Sequence, residues 1–196
     1  MNEAAGAPVM RDSSGNHRSG IIGDFVTTGV TVDGFTGYQF TSGGAKGDPE
    51  NLVIVDRAPL NPYRSTFKVF LRLKTTATDQ NIIQKGQANT VGGSWKIETD
   101  PEGHVVCTFR GAAGRGAIRS RGNLADGNWH KVVCIRRPTA VVIIVGNFPR
   151  RDPGRTGRIA NNAPLAIGGK RSCTAPAVSC QYYDGLLDRV AVSKRR

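Results

Sequence analysis

Apolar and polar residues alternate from Ser65 to Lys74. Phe67, Val69, Leu71 and Leu73 fall on one side and Lys68, Arg72 and Lys74 on the other, with Phe70 the exception. A repeat of two is the period of an extended strand with one buried face. Similar runs predict strands over Asn51 to Val55, Asn81 to Gln84, Ser94 to Glu98, His104 to Arg110, Trp129 to Arg136, Ala140 to Val145, Pro164 to Gly168 and Gly185 to Ser193. Turn formers stand between them: Gly43-Gly44, Asp48-Pro49, Gly92-Gly93, Asp100-Pro-Glu-Gly103, Asp126-Gly127, Asp152-Pro-Gly154 and Gly168-Gly169. No stretch carries the apolar repeat of an amphipathic helix over about 10 residues or more. Short strands with frequent turns and no helices predict an all-β sandwich or barrel.

The length, 196 residues, is enough for one domain with its own core. Residues 1–8 read as a flexible N-terminal arm and residues 9–196 as the domain. The longest apolar run, Ala140 to Val145, is too short to cross a bilayer, and no basic start precedes a long apolar segment. Neither a membrane span nor a signal peptide is therefore expected in this chain.

The net charge of +12 is regional. Residues 1–109 sum to −1, whereas residues 110–171 hold 13 basic residues against only Asp126 and Asp152, a net of +11. Such a segment favours anionic partners, and a solvated face is the plain alternative. Nucleic acid is disfavoured, because Phe148 is almost the only aromatic residue in the basic loops and base stacking wants more.

Cys107, Cys134, Cys173 and Cys180 show no CxxC spacing, so a zinc site is not expected. Cys107 and Cys134 occupy the centres of two predicted strands close in sequence, which suits a cross-strand disulfide. Cys173 and Cys180 bracket a loop containing Pro176. Three pairings are possible, and 107–134 with 173–180 is the local one. An even count in paired contexts favours an oxidising compartment over four buried free thiols.

Several pieces occur in a telling order. These are Asp12-Ser-Ser-Gly-Asn16, Asn81-Ile-Ile-Gln-Lys-Gly86 with Gly93-Ser-Trp-Lys-Ile97, Asp126-Gly-Asn-Trp-His-Lys-Val132, Pro164-Leu-Ala-Ile-Gly-Gly-Lys170 and Asp184-Gly-Leu-Leu-Asp-Arg-Val190. The succession, over roughly residues 9–193, resembles the laminin G-like, concanavalin A-like lectin/glucanase family, in the cysteine-bearing form of secreted actinobacterial proteins. The resemblance implies a jelly-roll sandwich of two antiparallel sheets and an extracellular setting. It implies Trp129 as a structural anchor and residues 184–190 as a closing strand, with Leu186 and Asp188 on one face and Leu187 and Arg189 on the other. Where the family usually spells Val-Asp-Gly, this chain has Ile144-Val-Gly-Asn147, so no ligand role is carried over to that turn.

Catalysis is weighed on Glu98-Thr-Asp-Pro-Glu102, which spells the Glu-x-Asp-x-Glu signature of β-glucanases on this fold. A carboxyl pair needs about 5 Å across the sugar bond, which one continuous strand supplies. Pro101 interrupts the strand, and Asp100 to Gly103 fits a type I turn that scatters the acids. Gly111-Ala-Ala-Gly-Arg-Gly116 lacks the Lys-Ser/Thr of a phosphate loop and reads as a hairpin loop. His130 reads as a strand histidine. No cofactor is required by the sequence. A structural Ca²⁺ on oxygen ligands is the one cofactor left open, with Asp12, Asp24 and Asp188 as the acids near the closing strands.

The reading that follows is a secreted, non-catalytic binding or adhesion module for carbohydrate, in particular an acidic glycan. Its cations are Arg110, Arg115, Arg119 and Arg121 from one hairpin and Arg150, Arg151, Arg155 and Arg158 from a neighbouring loop. The alternatives are a polysaccharide-degrading enzyme on the same fold and a structural or protein-interaction domain.

Overall fold

The computed structural model describes all residues except 43, 44, 46, 47, 56–59, 172, 174–178 and 196, and leaves the side chain of Asn51 undescribed. The expected Gly43-Gly44 turn and Pro176 lie outside the described residues. The described residues contain no α-helix, and so none long and apolar enough to cross a membrane.

Two antiparallel sheets form the molecule. Along the first the order is β1 (Val9–Met10), β2 (Gly20–Ile22), β5 (Val53–Val55), β14 (Leu165–Ile167), β7 (Asn81–Lys85), β8 (Ser94–Thr99), β9 (Val105–Gly111) and β10 (Gly114–Arg119). Along the second it is β13 (Phe148–Pro153), β12 (Ala140–Val145), β11 (His130–Arg137), β6 (Thr66–Lys74), β15 (Gly185–Arg195), β4 (Phe35–Phe40) and β3 (Val26–Val32). Phe67, Val69, Leu71 and Leu73 of β6 all point inward and are fully buried, as their alternation requires. Trp95 lies between the sheets with its ring 5.2 Å from Phe67 and 6.4 Å from Phe109. Each such buried side chain contributes about 1.5–3 kcal/mol.

Cys107 and Cys134 are bonded, with Cα atoms 5.8 Å apart, and so are Cys173 and Cys180. The first pair does not join neighbouring strands of one sheet. Cys107 is on β9 and Cys134 on β11, in opposite sheets, because the chain crosses the sandwich between β10 and β11. The second pair sits with Leu52, Ala166 and Tyr182 in a separate apolar cluster.

The strands β3, β4, β10 and β13 carry weak or misleading patterns. β13 reads Phe-Pro-Arg-Arg-Asp-Pro and is exposed except at Asp152, so it has no apolar alternation, and its two prolines are tolerated because it is an edge. Asp152-Pro153 therefore belongs to a strand rather than to the expected turn. A bulge between Leu187 and Arg189 shifts the register of β15. Leu187 then faces Leu73 inside while Leu186 and Arg189 share the outer face, which overturns strict alternation through this segment.

Trp129 is half-buried at the sandwich edge. Its indole N–H donates to Val32 O at 3.3 Å, and its ring meets Phe35 edge-on at 5.6 Å, which fixes the β3–β4 hairpin. Residues 1–8 lie against the same hairpin. Thr28 Oγ1 donates to Ala4 O at 2.6 Å and accepts from Ala7 N at 3.1 Å, and the Tyr38 hydroxyl donates to the Glu3 carboxylate. Burial alone would raise the Glu3 pKa, and the bonds from Tyr38 and the Arg11 amide reverse that, leaving it lowered.

Candidate functional site

The basic segment folds around the line where β10, at the edge of one sheet, meets β13, at the edge of the other. β10 has β9 on one side only, so its outer backbone groups need partners. The second sheet supplies them. The Ala117 N–H donates to Asp152 Oδ2 at 3.3 Å, while an Arg150 Nη1 donates to Arg119 O at 2.8 Å and Ser120 O at 3.3 Å. Past β13 the chain runs back along the hairpin tip, where Ala113 N donates to Thr156 O and Ala112 N to Arg158 O, both at 3.0 Å. The approach is close. A Cβ on Gly111 would stand 2.5 Å from Thr156 O, so glycine is required there.

A buried arginine holds this returning loop. Arg136 of β11 is 1% exposed, with Nε donating to Thr156 Oγ1 at 3.0 Å, Nη1 to Ser65 O at 2.7 Å and Nη2 to Gly157 O at 2.5 Å. Among the described residues no carboxylate pairs with it. Burial, and secondarily the nearby Arg64, pull its pKa below the usual guanidinium value. Composition counted Arg136 among the available cations, but its side chain is spent inside. The signal that distinguishes it is register: Arg136 stands opposite Phe67 and Val141, both core residues.

The eight arginines named from sequence separate into groups. Arg110 and Arg115 are cross-strand partners on β9 and β10, both exposed, with an Arg110 Nη1 donating to Ala88 O at 3.3 Å. Arg155 runs beside the same hairpin tip, its carbonyl 3.5 Å from where a Gly114 Cβ would be. Arg158 lies over the Tyr63 ring at 5.4 Å. These four share one end of the seam. The other end, about 16 Å along β10, holds Arg119, which reaches Asp100 at 3.5 Å and Glu102 at 3.9 Å. Arg150 there is occupied by backbone carbonyls, and Arg121 is exposed. Arg151 is exposed on β13, one residue out of phase with Arg150 and so on the opposite sheet face.

Glu98, Asp100 and Glu102 do not share one strand face. Glu98 lies within β8, paired with Lys96, whereas Asp100 to Gly103 forms the turn that its spelling requires, with Gly103 N donating to Asp100 O at 2.9 Å. Asp100 also accepts from the His104 and Glu102 amides at 2.8 and 3.1 Å. Asp12, Asp24 and Asp188 are not brought together either. The Asp12 carboxylate accepts from Ser14 N at 2.9 Å and Arg18 N at 2.8 Å, and Asp188 pairs with Arg72 at 2.5 Å. Asp24 belongs to the turn tied to Glu50 through its own N–H at 2.8 Å. Among the described residues no three His, Cys, Asp or Glu side chains form a group that could hold a metal ion. His130 accompanies Asp126, Nε2 to Oδ1 at 2.8 Å.

Residues 42–196 match the laminin G family described as the concanavalin A-like lectin/glucanases superfamily. Pikachurin of Homo sapiens is 29% identical over 127 residues, which is 63% of this chain and 12% of pikachurin, and that of Rattus norvegicus is 28% identical over the same length. The solved domains LG4-5 of the mouse laminin alpha1 chain superpose with a TM-score of 0.63 at 18% identity, covering 83% of this chain and 44% of that one. An SAP-like pentraxin of Limulus polyphemus gives 0.55 at 13% identity, covering 85% and 74%.

Proposed function

The chain belongs to the concanavalin A-like lectin/glucanase superfamily as a laminin G-like domain, and from that premise we propose that it is a non-catalytic extracellular binding module for anionic polysaccharide. The observation that carries the reading is the end of the seam formed by Arg110, Arg115, Arg155 and Arg158, where no acidic side chain pairs with a guanidinium among the described residues. Guanidinium groups offer paired donors to sulfate and carboxylate, and here they stand on a strand hairpin and a clamped loop. The distant end is weaker, because Asp100 and Glu102 already face Arg119. Two disulfides support an oxidising, extracellular setting. The engagement of Glu98 by Lys96 and of Asp100 by its own turn supports a non-catalytic role.

A glycan array read at low and moderate salt, with and without EDTA, tests this. Sulfated and carboxylated polysaccharides bind at low salt and weaken steeply as salt rises, since exposed charges are screened over about 10 Å at 0.1 M. The double variant Arg115→Glu, Arg155→Glu loses that binding, and Arg119→Glu loses much less. Binding that survives the double variant removes the seam from the reading, and no glycan binding at either salt removes the reading itself.

A further inference from the structure

The second sheet is incomplete on one side. β15 pairs with β4 only over Gly185 to Leu187, whereas its pairing with β6 continues to Arg195. From Arg189 to Arg195 the other edge of β15 has no strand neighbour among the described residues. No backbone bond from another described segment reaches it. Every second residue there turns an N–H and a C=O away from the sheet without a ladder partner.

Beside that edge a cavity of about 580 Å³ opens between the two sheets. Val55, Leu165 and Ile167 reach it from one sheet and Phe67, Val190 and Val192 from the other. Val190 and Val192 stand opposite Leu71 and Val69 in the ladder and so face inward. Leu71 and Val69 are fully buried, while Val190 and Val192 are only half-buried. Among the described residues they lack a paired strand on the open side, and Met1 and Met10 line the same cavity. A free strand edge lying along an apolar cavity is the geometry that strand addition fills, with main-chain bonds along the edge and alternate side chains in the cavity.

The charge around the opening selects among peptides. Arg11, Arg18 and Lys194 stand at its mouth, and Arg189 and Arg195 occupy the outer face of the edge strand, opposite Arg72 and Thr66. Among the described residues the one acid lining the opening, Asp12, already accepts two amides of its own loop, and Asp188 is paired with Arg72. We propose that residues 189–195 are a docking edge for an extended segment of a partner protein in which apolar residues alternate with Asp or Glu. The apolar positions enter the cavity and the acidic ones meet the arginines. This surface lies on strands other than β10 and β13 and does not depend on the glycan reading.

The test uses a fluorescein-labelled peptide, Glu-Val-Glu-Ile-Glu-Val-Glu, followed by anisotropy, with amide hydrogen exchange of the protein read in parallel. Two N-methylated forms, each blocking one alternate set of amides, separate strand pairing from simple charge attraction. The alternating peptide binds, and a peptide of the same composition with its apolar residues consecutive binds at least about tenfold more weakly, a loss of about 1.4 kcal/mol. One N-methylated form loses binding and the other keeps it, and amides within 189–195 gain protection. Val192→Trp, which fills the cavity, weakens binding while Arg189→Glu weakens it mainly at low salt. Absence of binding, equal binding of both N-methylated forms, or binding without new protection at 189–195 overturns the proposal. Protection, in the free protein, of the alternate amides there that do not bond to β6, or displacement of the peptide by dodecanoate with no change in exchange, does so too.

Discussion

Replacing Cys107 and Cys134 together by alanine removes the disulfide that joins the two sheets. The pair closes a loop with a sequence separation of 27. In the chain-entropy account a loop of that length restricts the unfolded chain by about 3.6 kcal/mol at room temperature. Both side chains are 0% exposed, so alanine also leaves unfilled space, at about 0.8 kcal/mol for each methylene-sized group. Together these give about 5 kcal/mol. The Cys173–Cys180 pair closes a separation of only 7, for which the same expression gives about 2.4 kcal/mol. Urea denaturation of the oxidised protein and of each double variant measures both differences without reductant. For a domain of this size they correspond to midpoint shifts of about 10–20 °C and about 5–10 °C. The reasoning fails if the Cys173/Cys180 variant is the less stable of the two. It fails equally if the Cys107/Cys134 variant loses under about 1.5 kcal/mol, which would mean the unfolded chain gains little freedom from the cut.

Arg136→Met leaves Ser65 O and Gly157 O without their buried donor; it lowers stability by about 3 kcal/mol in urea titration, with Arg136→Lys falling between it and the native protein. Asp126 carries a pKa of about 2, because burial, which raises it, is outweighed by bonds from His130 and Asn128. Its folded value is depressed, so its contribution is present above pH 4 or so and is lost as pH falls toward about 2. Solvent exposure reduces that contribution to about 0.5–1 kcal/mol, and in Asp126→Asn the acid limb of the stability curve flattens by this amount. Gly111→Ala drives a Cβ to 2.5 Å from Thr156 O. It loosens the loop bearing Arg155 and Arg158, and thermal melts and polysaccharide affinity both decline.

The sandwich was readable because most of its core strands announce themselves. β6, β8, β9, β11 and β12 each put apolar residues at the predicted positions, and their observed ends lie within a residue of the expected ones. What the pattern missed were strands with little to alternate. Phe-Pro-Arg-Arg-Asp-Pro in β13 faces solvent nearly throughout, and Gly-Arg-Gly-Ala-Ile-Arg in β10 begins in what reads as a hairpin loop. Both are edges, where pairing with one neighbour and with the facing sheet replaces core burial as the cause of extension. The site shows the same boundary. Charge counting singled out one segment of chain but treated its arginines as equivalent. Only the three-dimensional register separates Arg136, enclosed, and Arg119, opposite two acids, from Arg115 and Arg155, which are neither. The pairing of Cys107 with Cys134 was likewise legible from local spacing, but not that it would cross between sheets.

The loop over residues 154–158 has no regular structure, yet its carbonyl and hydroxyl groups receive a guanidinium rooted in β11. Such a segment cannot swing away by itself, since doing so strands a cation in the interior with its protons unreceived. Its opening is tied to loss of the sheet beneath, which places an irregular loop at the slow-exchanging end of the molecule. The entropy of ordering the backbone of Arg155 and Arg158 is then spent during folding. On the proposed function, an arriving polyanion would meet a preorganised surface, its capture governed by diffusion and electrostatic steering instead of by rearrangement.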